Sequence, residues 1–111
     1  MSFHVEVRVA AGSLEEAESI VAAAVQGRVA AGAQITGPIT STYWWKGEIQ
    51  RAEERLILMK TTTARLEDLV AVVRAAHSYD TPEIVAVPIE GGLADYLNWI
   101  TEETTEPASD A

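Results

Sequence analysis

Cysteine is absent from this 111-residue chain. Disulfides, thiolate nucleophiles, zinc ribbons and iron–sulfur clusters are thereby excluded, since each needs sulfur. Basic residues are scarce. Eight Lys and Arg stand against seventeen Asp and Glu, a formal net charge of -9. Such a surface repels a phosphate backbone, so neither nucleic acid nor anionic membrane is an expected partner. Long apolar runs are missing as well, and stretches such as 20–25 and 84–89 fall far short of the ~20 residues a spanning helix needs. The opening Met1-Ser2-Phe3-His4 has no basic region followed by an apolar run, so the cytoplasm is the expected compartment. Catalytic signatures are lacking too. There is no phosphate-cradling glycine loop followed by Lys-Ser or Lys-Thr, no H-E-x-x-H and no G-x-S-x-G. No catalytic residue is assigned, and an enzyme is not expected.

What remains is an ordinary globular mixture, 48% apolar and 23% charged, at a length that suits one domain. Phe3, Val5, Val7 and Val9 alternate with His4, Glu6 and Arg8, the period of a half-buried strand. Gly12 breaks it. Ser13 and Glu16 then read as a capping box opening a helix with Leu14, Ala17, Val21, Ala24 and Val25 on one face. Arg28 falls in the expected last turn, with Gly32, or Gly27 earlier, as the stop. Residues 33–45 read as a long strand with Ile35, Ile39, Tyr43 and Trp45 on one side and Thr36, Thr40 and Thr42 on the other. Pro38 marks an edge or a bulge. Lys46-Gly47-Glu48 is a turn, and residues 49–62 return as the second arm of a hairpin. Thr63 is expected to cap a second helix with Leu66, Leu69, Val70, Val73 and Ala76 inward. A strand at 84–89 and a short helix from Leu93 to about Thr101 close the domain.

This order predicts an α+β fold: a ferredoxin-like split βαβ arrangement, βαββαβ plus a short C-terminal helix, with a long β-hairpin. The domain is expected over 1–103, and the acidic, polar tail 104–111 is expected to be disordered.

Leu56, Ile57, Leu58 and Met59 are consecutive, so both faces of the third strand are apolar. Two helices cover one face of a four-stranded sheet, and exposed aliphatics forfeit about 1.5–3 kcal/mol each. A second copy of the chain is the expected cover, although polar His4, Glu6 and Arg8 limit its extent. Hairpin arms of about a dozen residues are roughly twice the modal strand length, and unpaired edges invite pairing between chains.

Four segments resemble one family. Ser41-Thr42-Tyr43-Trp44-Trp45-Lys46-Gly47-Glu48-Ile49 and Met59-Lys60-Thr61-Thr62 are similar to the hairpin of the CutA divalent-cation-tolerance proteins. His77-Ser78-Tyr79-Asp80-Thr81-Pro82-Glu83 resembles that family's H-x-Y-x-T-P-E segment, and Asp95-Tyr96-Leu97-Asn98-Trp99 its closing D-Y-L-x-W helix. The resemblance covers residues 3 to 101 in order. It implies a homotrimer whose hairpins pair between subunits, association with divalent metal, copper first, and a role in metal tolerance. Two departures stand out: Gly32 occupies the place of a common family cysteine, and Ser78 that of an occasional second histidine.

His77, with Asp80 and Glu83 close in sequence, is the candidate metal set, because imidazole suits copper, nickel and zinc. The competing reading of His77 is a helix C-terminal residue bonded to a backbone carbonyl. Lys60 shares a face with Leu56 and Leu58 and needs a carboxylate, for which Glu83 and Asp95 are the expected partners. Trp44, Trp45, Lys60, Tyr79, Glu83, Asp95, Tyr96 and Trp99 are candidates for a cleft between subunits, by interface packing or as a ligand site. The alternative function is a trimeric small-molecule or nucleotide sensor resembling PII signalling proteins, with ligands held in such clefts.

Overall fold

A computed structural model describes residues 3–105. Alternation in the first segment gives β1 (His4–Ala11). Strand β1 leads into α1 (Leu14–Gln26), β2 (Gly32–Trp45), β3 (Glu48–Thr62), α2 (Leu66–Ala76), β4 (Ile84–Ile89) and α3 (Ala94–Glu103). The four strands form one antiparallel sheet in the order β2-β3-β1-β4. This is the expected ferredoxin-like α+β arrangement.

Register divides the sheet into two faces. Val5, Val7 and Val9 lie opposite Thr61, Met59 and Ile57, and this set packs against α1 and α2 through Ala17, Ile20, Ala24, Leu69 and Val73. Nearly all of these side chains are wholly buried. The other face carries Glu6 opposite Lys60 and Arg8 opposite Leu58, with Gln34 alongside on β2.

Helix α1 opens as its sequence dictates. The Ser13 hydroxyl accepts the Glu16 backbone N–H at 3.1 Å, while the Glu16 carboxylate accepts the Gly12 N–H at 3.3 Å. The helix stops at Gly27, the earlier of the two stops. Arg28 is therefore not in the last turn; it sits beyond it at φ 57° and donates to the Glu103 carboxylate at 3.2 Å. Thr63 does not cap α2. It belongs to a short 3-10 turn, and its hydroxyl donates to the Phe3 carbonyl at 3.3 Å, because the chain must first turn back against the start of β1.

The hairpin departs from simple alternation at one place. Between Thr36 and Ile39 the register shifts: β2 spends three steps where β3, from Leu56 to Glu54, spends two. One extra residue in a strand inverts which face every later side chain occupies. Ile35 thus lies opposite Ile57 on the core face, whereas Ile39, Tyr43 and Trp45 lie opposite Glu54, Gln50 and Glu48 on the other. The expectation of a shared side for Ile35 and Trp45 fails for this reason. Gly37 makes the shift feasible at φ 129°, where a Cβ would lie 3.0 Å from the Arg55 Cδ. At the tip, Lys46 and Gly47 both take positive φ, the signature of a two-residue hairpin turn matched to strand twist.

Helix α3 lies on the face away from α1 and α2. Ile100 is fully buried beneath it, Trp99 lies over Gly32, and the Thr101 hydroxyl and His4 Nε2 are 2.9 Å apart. Part of the second sheet face is therefore sheltered by the chain's own last helix, which the two-helix expectation left out. Order also continues past the expected boundary at residue 103. Thr104 is buried, and its hydroxyl donates to the Ile100 carbonyl at 2.7 Å. The remainder of the expected tail, 106–111, lies outside the described residues.

Candidate functional site

The face inversion in β2 sets up a cavity at the base of the hairpin. Tyr43 and Trp45, turned away from the core, stand on the same face as Glu54, just where β1 ends and the hairpin continues alone. The loop after α2 returns past this point and supplies Tyr79, Asp80, Thr81, Pro82 and Glu83. Together these enclose about 470 Å³.

His77 fixes that loop. Its Nε2 lies 2.7 Å from the Ala10 carbonyl, and its Nδ1 accepts the Tyr79 N–H at 3.1 Å. A ring accepting at Nδ1 and facing a carbonyl at Nε2 is the neutral Nε2–H tautomer. The Glu16 carboxylate stands 3.9 Å from Nδ1 and accepts the Ser78 N–H at 3.1 Å. Burial works to raise the Glu16 carboxyl, but hydrogen bonds from Ser78 and Gly12 outweigh it and leave it below the usual carboxylate range. The Tyr79 hydroxyl donates to Glu54 at 3.0 Å. Burial first, then the Glu54 carboxylate, pushes the Tyr79 phenol up to about 12.

The structure gathers the expected cleft residues into two places rather than one. Trp45, Tyr79 and Glu83 line the large cavity, with Asp80 beside them. Lys60 and Tyr96 line a smaller one of about 210 Å³ under α3, where Tyr96 stacks on Trp99 at 5.5 Å. Asp95 is exposed in the first turn of α3. Trp44 belongs to neither; it lies opposite Ile49 on the other side of the hairpin, and both are exposed. The expected partners of Lys60 are corrected. Its ammonium pairs with Glu6 at 3.2 Å, directly across from it on β1, not with Glu83 or Asp95. The Arg8 guanidinium first, and Lys60 after it, hold the Glu6 carboxyl below its ordinary value against the opposing effect of burial.

Of the cavity lining, Glu54 escaped the sequence reading, and so did the second role of Glu16, expected only as part of a capping box. Glu54 sits two and four residues before Leu56 and Leu58, so strict alternation along β3 was the signal for its face. The bonds that Glu16 makes to the loop after α2 join positions 62 residues apart, and nothing local points to them.

A resident metal does not fit one chain. Both His77 nitrogens are engaged, and among the described residues no group of three or more His, Asp or Glu side chains could hold an ion.

The family model for CutA1 divalent ion tolerance protein matches residues 5–103. The chain belongs to the CutA1 family. It is 42% identical to the divalent-cation tolerance protein CutA of Archaeoglobus fulgidus over 93% of this chain and 99% of that one. Against the chloroplastic CutA 1 of Oryza sativa it is 37% identical over 83% of its own length, but spans only about half (52%) of that longer relative. The solved CutA1 structure from Thermus thermophilus superposes with a TM-score of 0.90 at 41% identity, covering 92% of this chain and 99% of that chain. Among the described residues, this CutA family member has no helix long and apolar enough to cross a membrane.

Proposed function

We propose that this CutA protein contributes to divalent-cation tolerance as a non-catalytic homotrimer that takes up divalent metal, copper foremost, on carboxylates next to the seams between subunits. The observation that carries the reading is the pairing of a family assignment with an exposed apolar and aromatic hairpin. Trp44 is 71% exposed, Ile49 60%, and Val85 on the edge strand β4 49%, surface that association between copies would cover. Asp80 and Glu83 are exposed carboxylates on the His77–Glu83 segment and the accessible ligands there. His77 enters a coordination sphere only by giving up one of its two hydrogen bonds.

Light scattering of the eluting protein tests the assembly, and a single-chain mass overturns it. Isothermal titration with copper(II) tests the metal. The expected result is uptake that weakens severalfold when Asp80 and Glu83 are changed together to Asn and Gln. Uptake undiminished in that pair removes the segment from the site, and undiminished uptake in His77→Ala removes the imidazole. The sensor reading draws on the smaller cavity, where Lys60 lies with Gln34 and Tyr96. A nucleotide-dependent thermal shift lost in Lys60→Ala would favour it over metal uptake.

A further inference from the structure

Glu54 is a buried carboxylate, 6% exposed, and among the described residues it has no basic partner. Its one hydrogen bond there is the Tyr79 hydroxyl. Buried charges are ordinarily paired, because a lone one carries a large desolvation cost. Asp80 and Glu83 stand on the walls of the same cavity, and no Lys, Arg or His lines it. Half of the remaining lining is aromatic, with Tyr43, Trp45 and Tyr79 offering ring surface. That Trp45 can face a cation is visible already: the Lys46 ammonium lies 5.8 Å from its ring centroid.

A hard divalent ion such as calcium or magnesium gives up its water only where several oxygens converge. Within one chain these carboxylates do not form such a group. A weakly hydrated organic cation asks for something else: aromatic faces for its hydrocarbon part and carboxylates spread around its charge. We infer that the cavity between the hairpin and the loop after α2 binds an organic ammonium ion with an apolar body, its charge directed to Glu54 and its hydrocarbon against Tyr43 and Trp45. The volume of about 470 Å³ lies within the 300–1,000 Å³ usual for small-molecule sites. The inference does not rest on metal uptake.

The test is isothermal titration of the whole protein with phenethylammonium chloride in chelator-treated buffer, beside the uncharged isostere 2-phenylethanol. The expected result is that the ammonium binds at least about tenfold tighter than the alcohol, ~1.4 kcal/mol. Glu54→Gln should remove that preference and leave the alcohol unchanged, while Trp45→Ala weakens both. Asp80→Asn, at an exposed position that the fold does not need, should reduce the preference severalfold and guards against a folding defect in Glu54→Gln. Equal binding of ammonium and alcohol, or no binding of the ammonium because a second copy fills the cavity, overturns the inference. Because no metal is present, neither outcome bears on copper uptake.

Discussion

The Tyr79 hydroxyl donates to a Glu54 carboxylate oxygen across 3.0 Å, and through this bond the loop after α2 is tied to the hairpin at a buried charge. The same loop is held from its other end by His77 on the Ala10 carbonyl and by Glu16 on the Ser78 N–H. The loop is thus fixed by polar contacts to β1, α1 and the hairpin.

Tyr79 titrates late. With its phenol raised from 10.0 to about 12, the folded state holds a proton that the unfolded chain releases earlier. Its stabilising contribution is therefore complete below pH 10 and declines as pH rises through the interval to about 12. Ultraviolet difference titration of the three tyrosines should show one phenol ionising after the others, and Glu54→Gln should bring that phenol down. A late phenol unmoved by Glu54→Gln would mean that Glu54 is not its cause.

Glu16, like Glu6, contributes on the acid side. Its lowered carboxyl binds a proton less readily when folded than when unfolded. The stability it contributes is present above the ordinary value of 4.5 and is lost as pH falls through the lower folded value. Glu16→Gln is expected to cost ~1–2 kcal/mol at neutral pH through its bonds to Gly12 and Ser78. It should also flatten the acid-side fall in the urea midpoint. An acid limb identical to wild type would assign that fall to other carboxylates.

Gly37 and Gly47 separate two kinds of glycine. At Gly37 a Cβ meets the Arg55 Cδ at 3.0 Å and the Glu54 carbonyl at 3.1 Å, on top of a φ of 129°. Gly37→Ala is expected to destabilise by about 2–3 kcal/mol. Gly47, at φ 80°, has nothing within 4 Å, so Gly47→Ala should cost only the left-handed backbone term, about 1–2 kcal/mol. Urea denaturation of the two variants reads the difference directly, and equal losses would show that contact at the bulge is not what demands glycine.

Ile100 anchors α3 to the second sheet face with no exposed surface. Ile100→Ala is expected to cost ~2–4 kcal/mol by leaving a void between helix and sheet. Loss of the exposed Arg28–Glu103 pair, in Arg28→Ala, should cost under about 1 kcal/mol. Thermal unfolding of both variants would expose a mistaken ranking.

How much of this was legible in the residues depended on how local the governing physics is. Val5, Val7 and Val9 reveal β1 by alternation, and Ser13 with Glu16 reveals the start of α1 within one turn. Pro38 marks the irregular place in β2 correctly, because the chain there is both an edge strand and a bulge. Alternation cannot carry across that bulge, so Ile35 and Trp45 were expected on one side and lie on opposite faces. Lys60 shows the limit differently. Its need for a carboxylate follows from its face, but which carboxylate depends on strand order, and Glu6 is brought opposite only by the pairing of β1 with β3. The splitting of the candidate cleft into two cavities has the same origin, since α3 crosses behind the sheet while the loop after α2 meets its end.

The register shift at Gly37 also works as a parity switch in the gene product. Shortening β2 there by a single residue would hand Tyr43 and Trp45 to the opposite side and bring Thr42 and Trp44 forward in their place, without altering one amino acid of the core. The decorated arm and the folded body are accordingly separable units of variation, joined at one glycine.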